Sequence, residues 1–341
     1  MIDYLWNSQS PLFAFAGILF AFICTCAAIT KFGGKLPRDM GRDYAVDGKL
    51  SAGKPRGAGL IFIMAFTVSA ILFAQVNLEL MIYLAMVVVE MLTGYLDDAS
   101  DQPWGDYKKG FLDLIVSIIT AVTFIMFNGS TIEFATLGVC VTLPSALYCI
   151  LAVILIWFSI NVTNCSDGVD GLSGTLTIIT LITIYIIGQM RKMDPVFAYM
   201  ILLFVVCILG YLWYNATPSV LMMGDAGSRA MGIFIAVAAM KTGSPVIYIL
   251  AAIVLIFDGG AGLVKVFLLR FFKIHILKNV RTPLHDHVRK VSGWSNTQTV
   301  FRFAIIQVVV SAAAIYLVMM QNISQVPQAI IALAPAAALL S

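Results

Sequence analysis

The chain has 341 residues, of which 60% are hydrophobic and only 11% are charged, and its formal net charge is +3 at pH 7. Soluble domains carry roughly 25% charged residues, so this composition excludes an ordinary soluble protein. A mean hydropathy of +0.95 over the whole chain also excludes a soluble domain with a single anchor. The composition indicates an integral membrane protein, and we expect no nucleic-acid partner.

Ten apolar runs follow one another along the chain, and each is a candidate transmembrane helix, since about 20 apolar residues cross a bilayer. The runs lie near 11–31, 58–76, 78–96, 110–128, 138–160, 172–190, 195–214, 228–242, 245–270 and 300–320. The sequence therefore predicts an all-α polytopic membrane protein with about ten transmembrane helices. We expect residues 1–341 to form a single domain.

The basic residues predict the orientation of these helices. An even number of spans places both termini on the same side of the membrane. All but three of the 21 Lys and Arg residues fall in the odd-numbered loops or the adjoining helix ends, the exceptions being Arg191, Lys192 and Lys241. By the positive-inside rule the odd-numbered loops are cytoplasmic and both termini are external. Most aspartates occur in the same loops, so we expect an active site on the cytoplasmic face.

Two polar stretches precede the fourth span. The loop "DGKLSAGKPRGAG" (47–59) places Lys49, Lys54 and Arg56 among glycines, which allow close backbone approach to a phosphate. Its charge could equally be topological. In "GYLDDASD", Asp97 and Asp98 end the third span. Adjacent carboxylates are costly near lipid, so they are typical of a divalent-cation or proton-transfer site, but an Asp-Asp pair on its own is equally typical of a solvated helix end.

The stretch "NVTNCSDGVDGLSG" carries four polar side chains at three-residue spacing: Asn161, Asn164, Asp167 and Asp170. Glycines at 168, 171 and 174 make an uninterrupted helix unfavourable, so we expect the fifth span to end near Asn164 and the chain to turn tightly. The two aspartates would then point into one polar pocket. Such oxygen ligands suit Mg²⁺, whereas the alternative of turn caps explains only one or two of the four residues.

Two later stretches add further polar groups. In "LMMGDAGSRAMG", Asp225 lies between two glycines before a span, where it could approach a metal-bound phosphate or mark a plain helix start. In "KNVRTPLHDHVRK", His285 and His287 lie beside several basic residues. That patch favours an anionic substrate or lipid headgroup, since a zinc site would need further histidine or cysteine ligands.

Taken together, these motifs resemble those of the polyprenyl-phosphate N-acetylhexosamine-1-phosphate transferases. The resemblance covers about residues 45–320 and rests on Asn-x-x-Asn-x-x-Asp-Gly-x-Asp-Gly, the earlier Asp-Asp pair, Met-Gly-Asp-x-Gly-Ser and the late histidine loop. That loop, "PLHDHVRKVSGWSNTQTVFRF", is most similar to the branch that acts on UDP-MurNAc-pentapeptide. The resemblance implies a Mg²⁺-dependent transferase of bacterial peptidoglycan synthesis in the cytoplasmic membrane. Its partners would be UDP-MurNAc-pentapeptide and undecaprenyl phosphate, its products lipid I and UMP, and dimers are common in the family.

The resemblance also implies residue roles. Catalytic residues would be Asp97, Asp98, Asp167, Asp225 and His285. Asp225 would be the main Mg²⁺ ligand, and Asp97 would receive the proton of the lipid phosphate. Substrate-binding residues would be Lys49, Asn161, Asn164, Asp170, Met222, Lys265 and His287.

Three positions depart from the family pattern and bear on the choice of sugar nucleotide. Asp286 replaces the central histidine of the late loop, Met222 replaces a phenylalanine thought to stack on uracil, and Lys265 falls where a glutamine is common. A UDP-GlcNAc:polyprenyl-phosphate GlcNAc-1-phosphate transferase therefore stays as an alternative. A secondary transporter would also explain polar breaks in apolar helices, but it would favour midplane sites and inverted repeats.

Overall fold

The structure is a computed structural model that describes residues 11–41, 51–100, 102 and 104–337. Lys49 lies outside the described residues. Long helices alternate with short connections, as the succession of apolar runs predicts. In chain order the helices are α1 (Pro11–Phe32), α2 (Gly59–Phe73), α3 (Leu78–Asp98), α4 (Asp106–Asn128), α5 (Ser145–Cys165), α6 (Leu172–Met190), α7 (Pro195–Asn215), α8 (Gly224–Lys241), α9 (Ile247–Ala251), α10 (Ala261–Phe272), α11 (Leu284–Ser292) and α12 (Asn296–Ala337).

Seven helices of the described chain are long and apolar enough to cross a membrane, which confirms a polytopic helical membrane protein. They are α1, α3, α4, α5, α6, α7 and α12. Each of the three other predicted runs folds as a helix or a broken helix. The run at 58–76 becomes α2, with 15 residues. The run at 228–242 becomes α8, with 18 residues, and the run at 245–270 is interrupted. The total of ten spans stays a prediction.

Helix α8 is the central element of the bundle. All of its residues from Gly224 to Met240 are buried, and it packs against α2, α3, α5 and α6. Its sequence "GDAGSRAMGIFIAVAAMK" is rich in glycine and alanine, which let neighbouring helices approach closely in a membrane bundle. Any polar side chain on α8 is therefore shielded from lipid by other helices.

The predicted span at 245–270 is broken in its middle. After α9, a helical turn (Ile253–Leu255) and a π-helical turn (Ile256–Gly260) precede α10. The π-helical turn contains Asp258, which is buried. Isolated π-helical turns occur often at functional sites because they redirect side chains within a helix. Here the turn places a carboxylate inside the protein rather than facing lipid.

A short hairpin connects α4 to α5 and adds an element that the all-α prediction lacked. Strand β1 (Thr131–Phe134) pairs antiparallel with β2 (Val139–Thr142). The hairpin lies at the end of the bundle that also holds the Glu79–Lys241 ion pair. There the Glu133 carboxylate accepts a hydrogen bond from Arg191, and the Glu133 N–H donates to the carbonyl of Gly243, two residues after Lys241. Four-residue strands have too little periodicity to distinguish them from loop residues in an apolar sequence.

Candidate active site

Three aspartates meet at one end of the bundle, where the last turn of α3 touches the first turn of α8. Gly94 of α3 faces the backbone of Asp225, and a Cβ on Gly94 would overlap it. Gly224 has φ +68° and faces the Asp98 carboxylate, so this position requires glycine as well. The Ala226 N–H donates to Asp98 Oδ2 at 3.2 Å. The glycines of "MGDAGS" thus bring Asp98 and Asp225 together.

Two cations neutralise these carboxylates. Arg56 Nη2 lies 2.9 Å from Asp98 Oδ1 and 3.2 Å from Asp225 Oδ1. Lys109, in the first turn of α4, forms an ion pair with Asp97 and lies 3.1 Å from Asp225 Oδ2. Paired buried carboxylates are stable only with such compensation. We call these five residues the acidic centre.

The environment of Arg56 keeps its guanidinium charged. Burial lowers the pKa of Arg56, but the nearby carboxylates, led by Asp98 and Asp225, together raise it by more, so the net shift is upward. The Asp97 carboxylate is also held in place, because its Oδ1 accepts a hydrogen bond of 2.7 Å from the Trp104 N–H. In the centre each carboxylate is therefore paired with a cation.

The polar stretch after α5 lies beside the acidic centre, and its polar side chains have different partners. The tight turn is confirmed: α5 ends at Cys165, and Gly171 adopts φ +83°. Asn164 Nδ2 donates to Ser228 Oγ at 3.0 Å, and Asp170 lies 3.7 Å from Lys54 Nζ. The Asp167 side chain is half-buried, and its charge contributes to the raised pKa of Arg56.

Asn161 lies one turn deeper than the rest of this stretch. Its Nδ2 donates to Asp113 Oδ2 at 3.1 Å and to Trp157 O at 2.9 Å. Asp113 also forms an ion pair with Arg229, whose Nη2 lies 2.9 Å from Glu90 Oε1. The structure therefore connects Asn161 to a buried charge cluster beneath the acidic centre and not to the centre itself.

The late histidine loop joins the same end of the bundle. His285 is buried, and its Nδ1 lies 2.9 Å from Asp258 Oδ2. Because a carboxylate can only accept, Nδ1 carries the proton. Burial lowers the pKa of His285, but the Asp258 carboxylate raises it by more. The Nε2 edge faces Gly168, where a Cβ would overlap the ring. Gly168 thus links the histidine loop to the stretch after α5.

Three other predicted binding residues take backbone contacts. His287 Nδ1 accepts from the Arg281 N–H at 3.2 Å. Lys265 Nζ donates to the carbonyls of Leu277 and Val280 at 3.1 and 2.9 Å, which ties α10 to the loop before α11. Met222 is half-buried, and its backbone forms an isolated parallel β-bridge with that of Arg56. The structure does not bring these three side chains together.

The sequence prediction missed several charged residues that build this region. The count of basic residues treats Lys109 and Arg229 only as topological charges, and it leaves Arg56 open between topology and phosphate binding, yet all three are at least half-buried and paired with carboxylates. Asp258 interrupts "AAIVLIF", and Glu90 and Asp113 lie inside apolar spans. A carboxylate within a membrane segment is expensive without a function or a partner, and this signal could have identified all three.

The fold and the acidic centre together define a class: multi-pass membrane enzymes with a charged site at one end of a helical bundle. The sequence profile of glycosyl transferase family 4 matches residues 80–243, which include all three aspartates of the centre. Curated relatives cover most of the chain.

A phospho-N-acetylmuramoyl-pentapeptide-transferase of Treponema pallidum (strain Nichols) is 38% identical over 294 residues, which cover 80% of each chain. The enzyme of the same name from Brachyspira hyodysenteriae is 26% identical over 330 residues, or 83% of this chain and 85% of the relative. That from Thermoanaerobacter sp. (strain X514) is 26% identical over 298 residues, covering 84% and 90%. The chain belongs to the phospho-N-acetylmuramoyl-pentapeptide transferase family.

Proposed function

We propose that the protein transfers phospho-MurNAc-pentapeptide from UDP-MurNAc-pentapeptide to undecaprenyl phosphate, giving lipid I and UMP for peptidoglycan synthesis. The observation that carries the proposal is the acidic centre, in which three carboxylates and two cations converge at one end of a membrane bundle. A lipid phosphate and a water-soluble nucleotide can meet only where the bundle ends. The name shared by the curated relatives supports the choice of substrates.

In the proposed reaction an oxygen of the lipid phosphate attacks the β-phosphorus of the UDP substrate. The new P–O bond forms as the bond from that phosphorus to the bridging oxygen breaks, and UMP leaves with the electron pair. A phosphate monoester has a second pKa of about 6, so the nucleophile is already an anion at pH 7. Direct attack needs no strong base, which makes it our preferred path over a covalent phosphoryl-carboxylate intermediate.

The chain's own cations serve this reaction by reducing the repulsion between two anionic substrates. Lys109 and Arg56 lie at the centre and can stabilise charge on the phosphoryl oxygens. The Asp258–His285 pair holds the histidine loop against Gly168, which closes one side of the site. The Trp104 N–H fixes the Asp97 carboxylate, and that carboxylate orients Lys109 through their ion pair.

The carboxylates fit a magnesium ion in their chemistry. Mg²⁺ is bound by one or two carboxylates together with substrate phosphate oxygens and water. Asp98 Oδ1 and Asp225 Oδ1 contact the same Arg56 nitrogen, so oxygens from two carboxylates already converge. Within the described residues no group of three His, Cys, Asp or Glu side chains is arranged to hold a metal, so a Mg²⁺ ion there would need further ligands from substrate or water. Bound there by Asp225, Mg²⁺ would neutralise the diphosphate and support in-line displacement.

The predicted topology would place the site on the cytoplasmic side of the membrane. The basic loops that contain Arg56 and Lys109 would face the cytoplasm, and both termini would be external. The protein would be a multi-pass protein of the bacterial cytoplasmic membrane with ten spans, and a homodimer stays a prediction. Cysteine labelling of Gly34→Cys against Leu137→Cys in intact cells tests the orientation, since both positions are exposed; Cys140, which is also exposed, is first replaced by serine.

A UMP-release assay tests the reaction. Purified protein should release UMP from UDP-MurNAc-pentapeptide only with undecaprenyl phosphate and Mg²⁺ present. Asp225→Asn and Asp98→Asn should each abolish release while the protein stays folded. Glu79→Gln is the matched control, because Glu79 is a buried carboxylate at the opposite end of α3. Near-normal turnover in either aspartate variant would contradict the assignment of the site.

The same assay separates the alternatives. Turnover of UDP-GlcNAc but not of UDP-MurNAc-pentapeptide would identify a GlcNAc-1-phosphate transferase. Substrate flux into liposomes without Mg²⁺ or UMP release would indicate a transporter instead.

A further inference from the structure

Arg56 occupies the position between carboxylates where a metal cation would bind. Its Nη2 contacts Asp98 Oδ1 at 2.9 Å and Asp225 Oδ1 at 3.2 Å, and its Nη1 lies 3.4 Å from Asp39 Oδ1. One guanidinium therefore touches three carboxylates from three separate parts of the chain. The Arg56 side chain is 18% exposed and the Asp98 side chain is fully buried, so water competes little for these contacts.

The backbone around Arg56 holds this side chain at the centre. The Arg56 N–H donates to Pro37 O at 2.8 Å, and its neighbours Pro55 and Ala58 pair with Met222 on both sides. Met222 precedes the start of α8 by two residues. The backbone anchor of Arg56 is thus fixed relative to Asp225, and several rotatable bonds separate this anchor from the guanidinium.

The guanidinium is incompletely bonded where it lies. Arg56 Nε is buried and has no hydrogen-bond partner among the described residues. A guanidinium carries five N–H donors and binds phosphate oxygens through two parallel bonds. The carboxylates use its outer nitrogens and leave the inner one without an acceptor. An incoming phosphate oxygen would satisfy it.

The guanidinium and a divalent ion compete for the same oxygens. Like charges a few ångströms apart repel strongly in a partly buried site. A Mg²⁺ ion on Asp225 would need the Oδ1 atom that now accepts from Arg56, or would sit directly beside that cation. The two cations cannot both hold these oxygens.

We propose that Arg56 is an exchangeable counter-cation. It holds Asp98 and Asp225 together before substrates bind, gives up Asp225 to Mg²⁺, and then binds an oxygen of the nucleotide diphosphate. This inference rests on the proposed function, because it takes Asp225 as the metal ligand. Lys109 is less suited to the exchange, since it projects from the first turn of a helix and offers a single nitrogen.

The exchange predicts opposite effects of one substitution on two ligands. Arg56→Gln removes the competing cation, so the nucleotide-free protein should bind Mg²⁺ about tenfold more tightly. The same variant loses a phosphate ligand, so KM for the UDP substrate at saturating Mg²⁺ should rise about tenfold. Arg56→Lys keeps the positive charge but cannot form two parallel hydrogen bonds to a phosphate. It should therefore leave Mg²⁺ affinity near wild type and still raise KM for the UDP substrate.

Isothermal titration with Mg²⁺ alone, followed by UMP-release kinetics, measures both effects, and melting curves establish that each variant is folded. Arg38→Gln is the matched control, because Arg38 lies in the same segment and bonds to the carbonyls of Gly53 and Gly34. This variant should change neither the affinity for Mg²⁺ nor KM for the UDP substrate. If Arg56 had only a structural role, its replacement by glutamine would weaken the binding of both Mg²⁺ and the UDP substrate.

The two hypotheses fail in different ways. Mg²⁺-dependent UMP release by the wild type, with unchanged or weaker Mg²⁺ binding in Arg56→Gln, would overturn the exchange alone. Mg²⁺-independent release by the wild type would overturn the metal role in the proposed function and the exchange with it.

Discussion

Arg229→Met should destabilise the protein strongly, because it removes the cation that pairs with two buried carboxylates. Arg229 Nη2 lies 2.9 Å from Glu90 Oε1 and pairs with Asp113, and all three residues are at most 2% exposed. Breaking a buried ion pair by deleting one partner costs about 3–5 kcal/mol, since it leaves uncompensated charge. Methionine fills a similar volume, so little of this cost comes from lost packing.

Thermal unfolding of purified protein in one detergent at one scan rate measures the loss. At about 2 °C per kcal/mol for a large domain, the melting temperature should fall by about 6–10 °C. Combining Arg229→Met with Glu90→Gln and Asp113→Asn removes all three charges and should restore most of that decrease. If the triple variant melts no higher than Arg229→Met alone, the charge argument is wrong.

Lys241→Met is the control that separates stability from activity. Lys241 ends the same helix and pairs with Glu79 at 3.0 Å, with side chains that are 7% and 8% exposed. It should destabilise the protein in a similar way. Only Arg229→Met should also reduce UMP release per folded molecule, because Asp225 and Arg229 are one turn apart on α8. Equal activity in the two variants would show that the buried cluster does not position the site.

Two further predictions concern the histidine loop. Gly168→Ala should lower UMP release at least tenfold without unfolding the protein, since its Cβ would displace the His285 ring, whereas Gly34→Ala, with open space around it, should be neutral. Because Asp258 raises the pKa of His285, the pair contributes stability that is fully present below the unfolded pKa of about 6.5 and is lost as pH rises through the folded pKa. Melting curves of wild type and Asp258→Asn should therefore differ most at acid pH and converge as pH increases.

The local parts of this structure could be predicted from sequence because they depend on short-range physics. Runs of apolar residues gave helices, and "GVDGLSG" gave a tight turn with Gly171 at positive φ. The grouping of Asp98 with Asp225 required motif resemblance, since 127 positions separate them in the sequence. The glycines that permit their contact became interpretable only once α3 and α8 were seen to touch at Gly94.

Partner choice among charges could not be predicted in the same way. A count of Lys and Arg residues predicts orientation but not contacts, so it does not indicate that Arg229, near the start of α8, is buried against Glu90. The apolar run at 245–270 predicts one helix, whereas a π-helical turn within it contains the buried Asp258. Both residues have partners that are distant in sequence.

Helix periodicity places two layers of polar side chains on the same four helices, of which α3, α4 and α8 carry the charges. Asp113 follows Lys109 by four residues on α4, and Arg229 follows Asp225 by four on α8, so each pair shares a helix face. Glu90 lies two turns below Asp97 on α3, and Asn161 lies one turn below Asn164 on α5. The charges of the deeper layer are buried and cannot exchange partners with water, so they fix the register of α3, α4 and α8. The cations of the acidic centre above it are partly exposed, and Arg56 can exchange partners while the aspartates stay in place.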